Sequence, residues 1–312
     1  MKKLAILFTS LVIISLAIGV IGCASESGQP TTTPTPAASS SPTATPGVAP
    51  QIPPSGSFII DFGDFNSSGD QSLLPGDSQF DLELASFDSS NGGQFAIEKA
   101  ALDESKNWGF AAFNVGFWNS VIVVGLAVPV ASFVASFNHT PVQQPDYTWV
   151  WSYDVTVGGV AHHAELHGKY IDSGVRWDMY ISKQNEYTNF NWYYGESNLP
   201  ATEGFWILKN NPTNSTDLLR IDWHRNIADS TGGTKYTNIV PGGAENGGYI
   251  SAEITTQTPY NASYDIYNKG QDNHTYIEWS RTTQEGRVKD SRHFGDIQWH
   301  CWDGNHKDTT CP

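Results

Sequence analysis

The densest group of chemically versatile residues is three histidines and a glutamate within residues 160–170, VAHHAELHGKY. In an extended chain alternate side chains point to the same side, so His163, Glu165 and His167 share one face. Imidazole and carboxylate groups are ligands for zinc and non-haem iron, and such sites keep open positions for water. The row therefore predicts a site for zinc or another divalent metal, which would make a metal-dependent enzyme one candidate function.

Two simpler interpretations of the same strand remain open. Ala164, Leu166 and Tyr170 alternate with the row, so they can face a core while the row faces water. If the strand belongs to a barrel, the row can instead contact a polar ligand inside it. Because sheet twist makes alternate side chains diverge, a metal site also needs a polar group from a neighbouring strand, such as Asp154 or Asp178.

No catalytic residue can be assigned from sequence patterns. Asp222 and His224 share one strand face in the segment IDWHR, but no serine nucleophile can be placed with them. The chain has neither a Gly-x-Ser-x-Gly elbow nor a phosphate-binding loop. The carboxylates available for acid–base chemistry are scattered, at Asp178, Asp222, Glu253, Glu278 and Asp296. The sequence thus favours a non-catalytic protein without a cofactor.

The N-terminus has the pattern of an export signal. Lys2 and Lys3 precede an uncharged apolar run, as in a secretory signal peptide over residues 1–22. The run ends in Val20-Ile-Gly-Cys23, which resembles the lipobox of bacterial lipoproteins. The resemblance implies cleavage before Cys23 and attachment of lipid, such as palmitate, to that cysteine. The protein is then expected to be anchored in a membrane on its extracytoplasmic side; a retained transmembrane anchor is the alternative.

Composition divides the rest of the chain into a tether and a folded domain. Residues 23–55 are rich in Ser, Thr and Pro, and this predicts a disordered tether. Residues 56–312 are predicted to form a single β-rich domain. Without Lys2 and Lys3 the chain has 15 basic and 32 acidic residues, a formal net charge of −17. This charge argues against nucleic acid as a partner, because phosphate backbones bind basic surfaces.

Hydrophobic periodicity predicts one helix followed by many strands. Apolar residues at spacings of three and four indicate a buried apolar helix over about residues 108–137, which Pro129 should kink or end. The segments that read as strands are 148–157, 161–171, 175–182, 190–194, 204–209, 218–224, 249–255, 263–268, 275–281, 287–294 and 296–302. The expected fold is mainly β: an antiparallel meander that forms a barrel or half-barrel with the helix packed against it.

This expected architecture is similar to that of the open-barrel carriers that transport lipids or lipoproteins between bacterial membranes. The resemblance implies a binding protein for an apolar or amphipathic ligand. The many aromatic residues, with 11 Trp, 13 Tyr and 15 Phe, suit a second function. Exposed rings on an acidic exported protein are typical stacking platforms for sugars, so a surface module that binds or cleaves carbohydrate is the alternative.

The lipobox resemblance also bears on the odd number of cysteines. If lipid occupies Cys23, then Cys301 and Cys311 remain as a pair. Thiol pairs oxidise outside the cytoplasm, so this pair is predicted to form a disulfide that pins the C-terminal tail. A zinc site with His300 and His306 is the alternative, but the spacing matches no common zinc-finger pattern.

Overall fold

The computed structural model describes residues 47–58 and 106–312, and of residues 117–125 the backbone alone. The described residues all belong to one compact unit, Ser41–Pro312. The predicted signal peptide, the lipidation site at Cys23 and residues 24–46 of the tether lie outside the described residues, as do residues 59–105.

The described chain forms one antiparallel sheet of 14 strands, in which each strand pairs with its neighbours in sequence. The strands are β1 (Val142–Gln143), β2 (Trp149–Val157), β3 (Val160–Ile171), β4 (Gly174–Lys183), β5 (Tyr187–Ser197), β6 (Glu203–Asn211), β7 (Asn214–Asn226), β8 (Thr231–Asn238), β9 (Tyr249–Ile254), β10 (Ala262–Asn268), β11 (Asn273–Trp279), β12 (Gly286–Asp290), β13 (His300–Trp302) and β14 (Asp308–Thr309). Because β1 and β14 do not pair, the sheet stays open. The predicted antiparallel meander is confirmed, in the open rather than the closed form.

The helical segment is divided in two. Helix α1 covers Lys106–Gly125 and helix α2 covers Ala127–Ser136; a third short helix, α3, covers Ser291–Phe294. The break falls at Leu126, three residues before Pro129. Proline has no N–H to continue the helical hydrogen bonds of the preceding turn, so a new helix begins there. Within the described residues, no helix has both the length and the apolar composition that a membrane span requires.

Alternation along the strands separates an inner face from an outer face. The inner face is the one that packs against α1 and α2, and on β4 it carries the buried side chains of Trp177, Met179 and Ile181. Residues between them, such as Arg176 and Asp178, are half-buried on the outer face. This period of two is the pattern of a sheet with one face in the core, so the sequence could predict it.

Contacts of α2 show that the sheet curls toward the helices. The carbonyl of Ser132 accepts a hydrogen bond from the hydroxyl of Tyr153 on β2. The ring of the next residue, Phe133, lies 5.3 Å from the ring of Trp206 on β6. In a flat sheet these two strands would be about 19 Å apart, at roughly 4.8 Å per strand. One turn of helix reaches both strands because the sheet bends around it.

The folded part begins upstream of residue 56, where the sequence places the end of the tether. Pro50 and Pro53 are buried, and Ala49 and Ile52 pack against the core. A short 3-10 helix follows at Ser55–Ser57. Prolines favour an extended chain. Burial of these apolar side chains on the sheet is lower in free energy than their exposure to water in a tether would be.

The C-terminal tail closes the other end of the sheet. Cys301 on β13 forms a disulfide with Cys311, which confirms the predicted bond. The side chain of Asn107, at the start of α1, donates a hydrogen bond to the Cys301 carbonyl. The ring of Trp108 stacks on the ring of His306 at 4.4 Å. The disulfide thus holds the tail against the first turn of α1.

Candidate functional site

The predicted histidine row lies on the outer face of β3. Asp154, from the neighbouring β2, has its Oδ1 at 2.8 Å from Nδ1 of His163. Glu165 lies between the two imidazoles, with Oε1 at 3.7 Å from Nε2 of His163 and Oε2 at 3.3 Å from Nε2 of His167. Ala164 and Leu166, which alternate with the row, are buried on the inner face, and Tyr170 is half-buried. The row is therefore a line of polar side chains on the outer surface, joined by hydrogen bonds between Asp154 and His163 and between Glu165 and His167.

The other neighbouring strand adds no ligand to this row. Asp178 lies opposite His167 in the register of β3 and β4. Its carboxylate is held by Arg176, with Nε at 3.0 Å from Oδ2, and by the amide of Asn191 at 3.2 Å. Within residues 47–58 and 106–312, no three His, Cys, Asp or Glu side chains are grouped as a metal site requires. The zinc site stays a prediction.

The scattered carboxylates are all engaged with basic side chains. The pairs are Asp178 with Arg176, Asp222 with Arg220, Glu253 with His224, Glu278 with Arg287 and Asp296 with His300. Asp222 and His224 share a strand face, as expected, but each binds a different partner. Glu253 differs from the other four carboxylates because it both pairs with an imidazole and lines an open depression.

The depression lies on the outer face across β6 to β9 and has a volume of about 540 Å³. Its lining includes Glu203, Phe205, Arg220, Asp222, His224, Gly233, Lys235, Ser251 and Glu253. Glu203, His224, Gly233 and Glu253 lie opposite one another on four consecutive strands. Because Gly233 has no side chain, the carboxylate of Glu253 lies directly over the backbone of β8, which forms the floor of this row.

An acid–base pair spans this floor. Nε2 of His224 lies 3.3 Å from Oε2 of Glu253, on the two strands that flank Gly233. Burial raises the pKa of Glu253 above that of an ordinary glutamate, and the charge of His224 acts in the opposite direction. A carboxyl group with a raised pKa holds its proton to higher pH, so it can donate a hydrogen bond as well as accept one.

Side chains around the pair combine charge with an aromatic surface. The guanidinium of Arg220 lies 4.3 Å above the ring of Phe205 and also binds Asp222. A cation fixed in this way presents its remaining N–H groups in a defined direction. Lys235 and Ser251 lie opposite each other on β8 and β9 and add an ammonium and a hydroxyl group. The depression can therefore form many hydrogen bonds to a polar ligand.

Sequence reasoning missed the strand on which this site depends. No strand was predicted between His224 and Tyr249, although β8 covers Thr231–Asn238. The pair Gly232 and Gly233 is typical of a turn, which hides the strand. In the structure, burial alternates after the glycines, since residues 234 and 236 are buried and residues 235 and 237 are not.

Comparisons with protein-family models, with curated proteins and with solved structures find no match for this chain. The similarity to open-barrel carriers stays a resemblance of architecture. The fold and the site together define only a class of protein: an open antiparallel sheet that curls around two helices and carries an open depression, lined with charged side chains, on its outer face.

Proposed function

We propose that the protein is an exported, membrane-tethered lipoprotein whose folded part binds carbohydrate in the outer-face depression. The proposal rests above all on His224 and Glu253, which meet over the side-chain-free backbone of Gly233. The depression is open, and its lining combines charged and hydroxyl-bearing side chains with apolar surface. A ligand with many hydroxyl groups suits such a surface better than an apolar one does.

The chemistry of the lining supports a sugar in particular. Sugar hydroxyls both donate and accept hydrogen bonds, so they pair well with carboxylates such as Glu203 and Glu253 and with cations such as Arg220 and Lys235. A hydrogen bond to a charged group contributes about 1.5–3 kcal/mol, roughly twice the value of a neutral one. The half-buried ring of Phe205 offers apolar surface for the C–H groups of a sugar ring.

The inner face gives less support to the apolar ligand that the sequence also suggested. The ring of Phe58 lies 4.8 Å from each of the rings of Phe133, Tyr193 and Trp206. All four side chains are fully buried, so they fill the centre of the described inner face. A ligand on the outer face displaces none of them.

The glycan proposal is tested by probing a glycan array with the full-length mature protein. We expect one class of glycan to be retained, and the variant Glu253→Gln to bind it more weakly. The matched control is Glu186→Gln, which removes a carboxylate that binds Lys183 in the hairpin between β4 and β5. A blank array, with a protein whose circular dichroism shows β structure, would overturn the proposal.

Export and tethering rest on the N-terminal residues alone. They are supported by the basic pair Lys2 and Lys3, the apolar run and the lipobox-like residues that end in Cys23. Cells fed an alkyne analogue of palmitate should label the native protein, and Cys23→Ser should lose both the label and the membrane association. Equal labelling of the Cys23→Ser variant would refute the lipid anchor.

A further inference from the structure

Beside the depression, the outer face carries a strip of stacked rings and lysines across β8 to β13. We propose that this lysine–aromatic strip binds an acidic polysaccharide, a glycan that carries a carboxylate or sulfate on some of its sugars. The inference rests on the proposed carbohydrate binding and specifies the class of glycan. The strip consists of Lys235, Tyr249, Tyr267, Lys269, His274, Tyr276, Lys289 and Trp299.

Strand register places the strip in straight rows across the sheet. One row runs over five consecutive strands through Lys235, Ser251, Asp265, Tyr276 and Lys289. The ends of this row are about 19 Å apart, four strand spacings of roughly 4.8 Å each. The first residue of the row also lines the depression. A polymer bound in the depression can therefore continue across the strip at right angles to the strands.

The rings of the strip are held in fixed orientations. The ring of His274 stacks on Tyr267 at 4.3 Å and on Tyr276 at 5.0 Å, with interplanar angles of 16° and 3°. The Tyr249 hydroxyl donates a hydrogen bond of 2.7 Å to Asp265, which also contacts Nδ1 of His274 at 3.1 Å. Half-buried rings fixed in this way form a stiff surface that loses little entropy when a ligand binds.

The lysines of the strip differ from the arginines of the outer face. Lys235 lies 3.8 Å from the Tyr249 ring, and Lys289 lies 4.7 Å from the rings of both Tyr276 and Trp299. Lys269 is more loosely placed, 5.6 Å from the Tyr267 ring. Among the described residues, none of the three ammonium groups has a carboxylate oxygen within 4.0 Å.

Within residues 47–58 and 106–312, this lack of carboxylate partners contrasts with the strongly acidic composition of the chain. By contrast, Arg176, Arg220 and Arg287 each bind a carboxylate on the same face. As far as the described part of the chain is concerned, the three lysines are therefore available to external anions. Because they also cover faces of the rings, a ligand that reaches the strip meets ammonium groups first.

The arrangement of charges favours an acidic glycan over a nucleic acid. Carboxylates such as Asp265 and Glu278 lie among the lysines and would repel a backbone with a phosphate on every nucleotide. The same carboxylates accept hydrogen bonds from sugar hydroxyls. A polysaccharide whose anionic groups are separated by neutral hydroxyl-bearing rings matches both features.

The test compares chondroitin, which has a carboxylate on every second sugar, with its carboxyl-reduced form. Affinity electrophoresis of the full-length mature protein should show retention by chondroitin that weakens as salt is raised. Each of Lys235→Gln, Lys269→Gln and Lys289→Gln should weaken binding about threefold, and the triple variant about 30-fold if the sites are independent. The control Lys183→Gln removes the same charge outside the strip and should bind as the native protein does.

The outcomes separate this inference from the proposed function. Equal retention by chondroitin and its carboxyl-reduced form would overturn the acidic class while leaving carbohydrate binding intact. Retention by neither form, together with a blank glycan array, would overturn both proposals. Stronger retention by single-stranded DNA than by chondroitin would also overturn the inference. If the triple lysine variant kept native affinity for chondroitin, the acid would bind elsewhere and the strip would be excluded.

Discussion

A single methyl group at position 233 can test whether the depression binds the ligand. A Cβ on Gly233 would lie 2.2 Å from the carboxyl carbon and from both oxygens of Glu253. Ordinary van der Waals contact begins near 3.4 Å, so the carboxylate must retreat by about 1.2 Å in the variant Gly233→Ala. That movement carries Glu253 away from His224, whose Nε2 now lies 3.3 Å from it.

The expected loss follows from the displaced carboxylate. A hydrogen bond to a charged group is worth about 1.5–3 kcal/mol, which corresponds to about 10- to 140-fold in the dissociation constant. The fold should tolerate the change because the group that moves is the end of a flexible side chain. Alanine is also favoured over glycine within a strand by about 0.5–1 kcal/mol, so the melting temperature should stay constant or rise.

Isothermal titration calorimetry with the glycan that the array identifies, paired with thermal unfolding, measures both quantities. The matched control is Gly56→Ala, because a Cβ at Gly56 meets no atom within 4 Å. This control should bind with native affinity. Native affinity in a folded Gly233→Ala variant would refute the reasoning, since it would show that ligand binding does not depend on the position of the Glu253 carboxylate.

Three further predictions concern stability. Replacing Cys301 and Cys311 with serine opens a loop of sequence separation 10. On the chain-entropy model this should lower the free energy of unfolding by about 3 kcal/mol. An unchanged midpoint of urea unfolding would contradict this prediction. Burial raises the pKa of Glu253, so its protonation stabilises the fold below the unfolded pKa of about 4.5 and this contribution is lost as pH rises through the folded pKa. Glu253→Gln should therefore gain melting temperature relative to the native protein as pH rises, and a constant difference would argue against the shift. Burial against the ring of Phe110, at 3.7 Å, lowers the pKa of His293. The stability that this neutral imidazole contributes above pH 6.5 should therefore be lost as acid protonates it. The variant His293→Phe should show a weaker dependence of melting temperature on pH in this range.

The architecture was predictable because it depends on local pattern. Alternation such as that of Trp177, Met179 and Ile181 needs only neighbours two residues apart, and it appears in the chain as it does in the sheet. The helical segment was predicted by apolar residues at spacings of three and four, and Pro129 marked the disturbance that divides it at Leu126. The disulfide followed from the pairing of the two cysteines that remain when Cys23 is assigned to lipid.

The candidate site was not predictable because it depends on register between distant strands. His224 and Glu253 are 29 residues apart in the chain and meet because β8 lies between them with a glycine at the point of contact. In the sequence, Gly232 and Gly233 read as a turn. In the structure they belong to strand β8 because the strand is hydrogen-bonded to β7 on one side and to β9 on the other. The histidine row shows the converse. His163, Glu165 and His167 are close in the chain and suggested a metal site, but the structure places them in a polar network on the surface.

The sequence by itself determined which residues of each strand share a face, because side-chain alternation is a property of the extended chain. It also determined the acidic charge, and it carries the export pattern that ends at Cys23. The tertiary structure decided which outward side chains meet. Through register it paired Arg287 with Glu278 and His224 with Glu253. It placed Lys235 and Lys289 on aromatic rings without a carboxylate partner among the described residues. Such pairings depend on distances across the sheet, which no local pattern specifies.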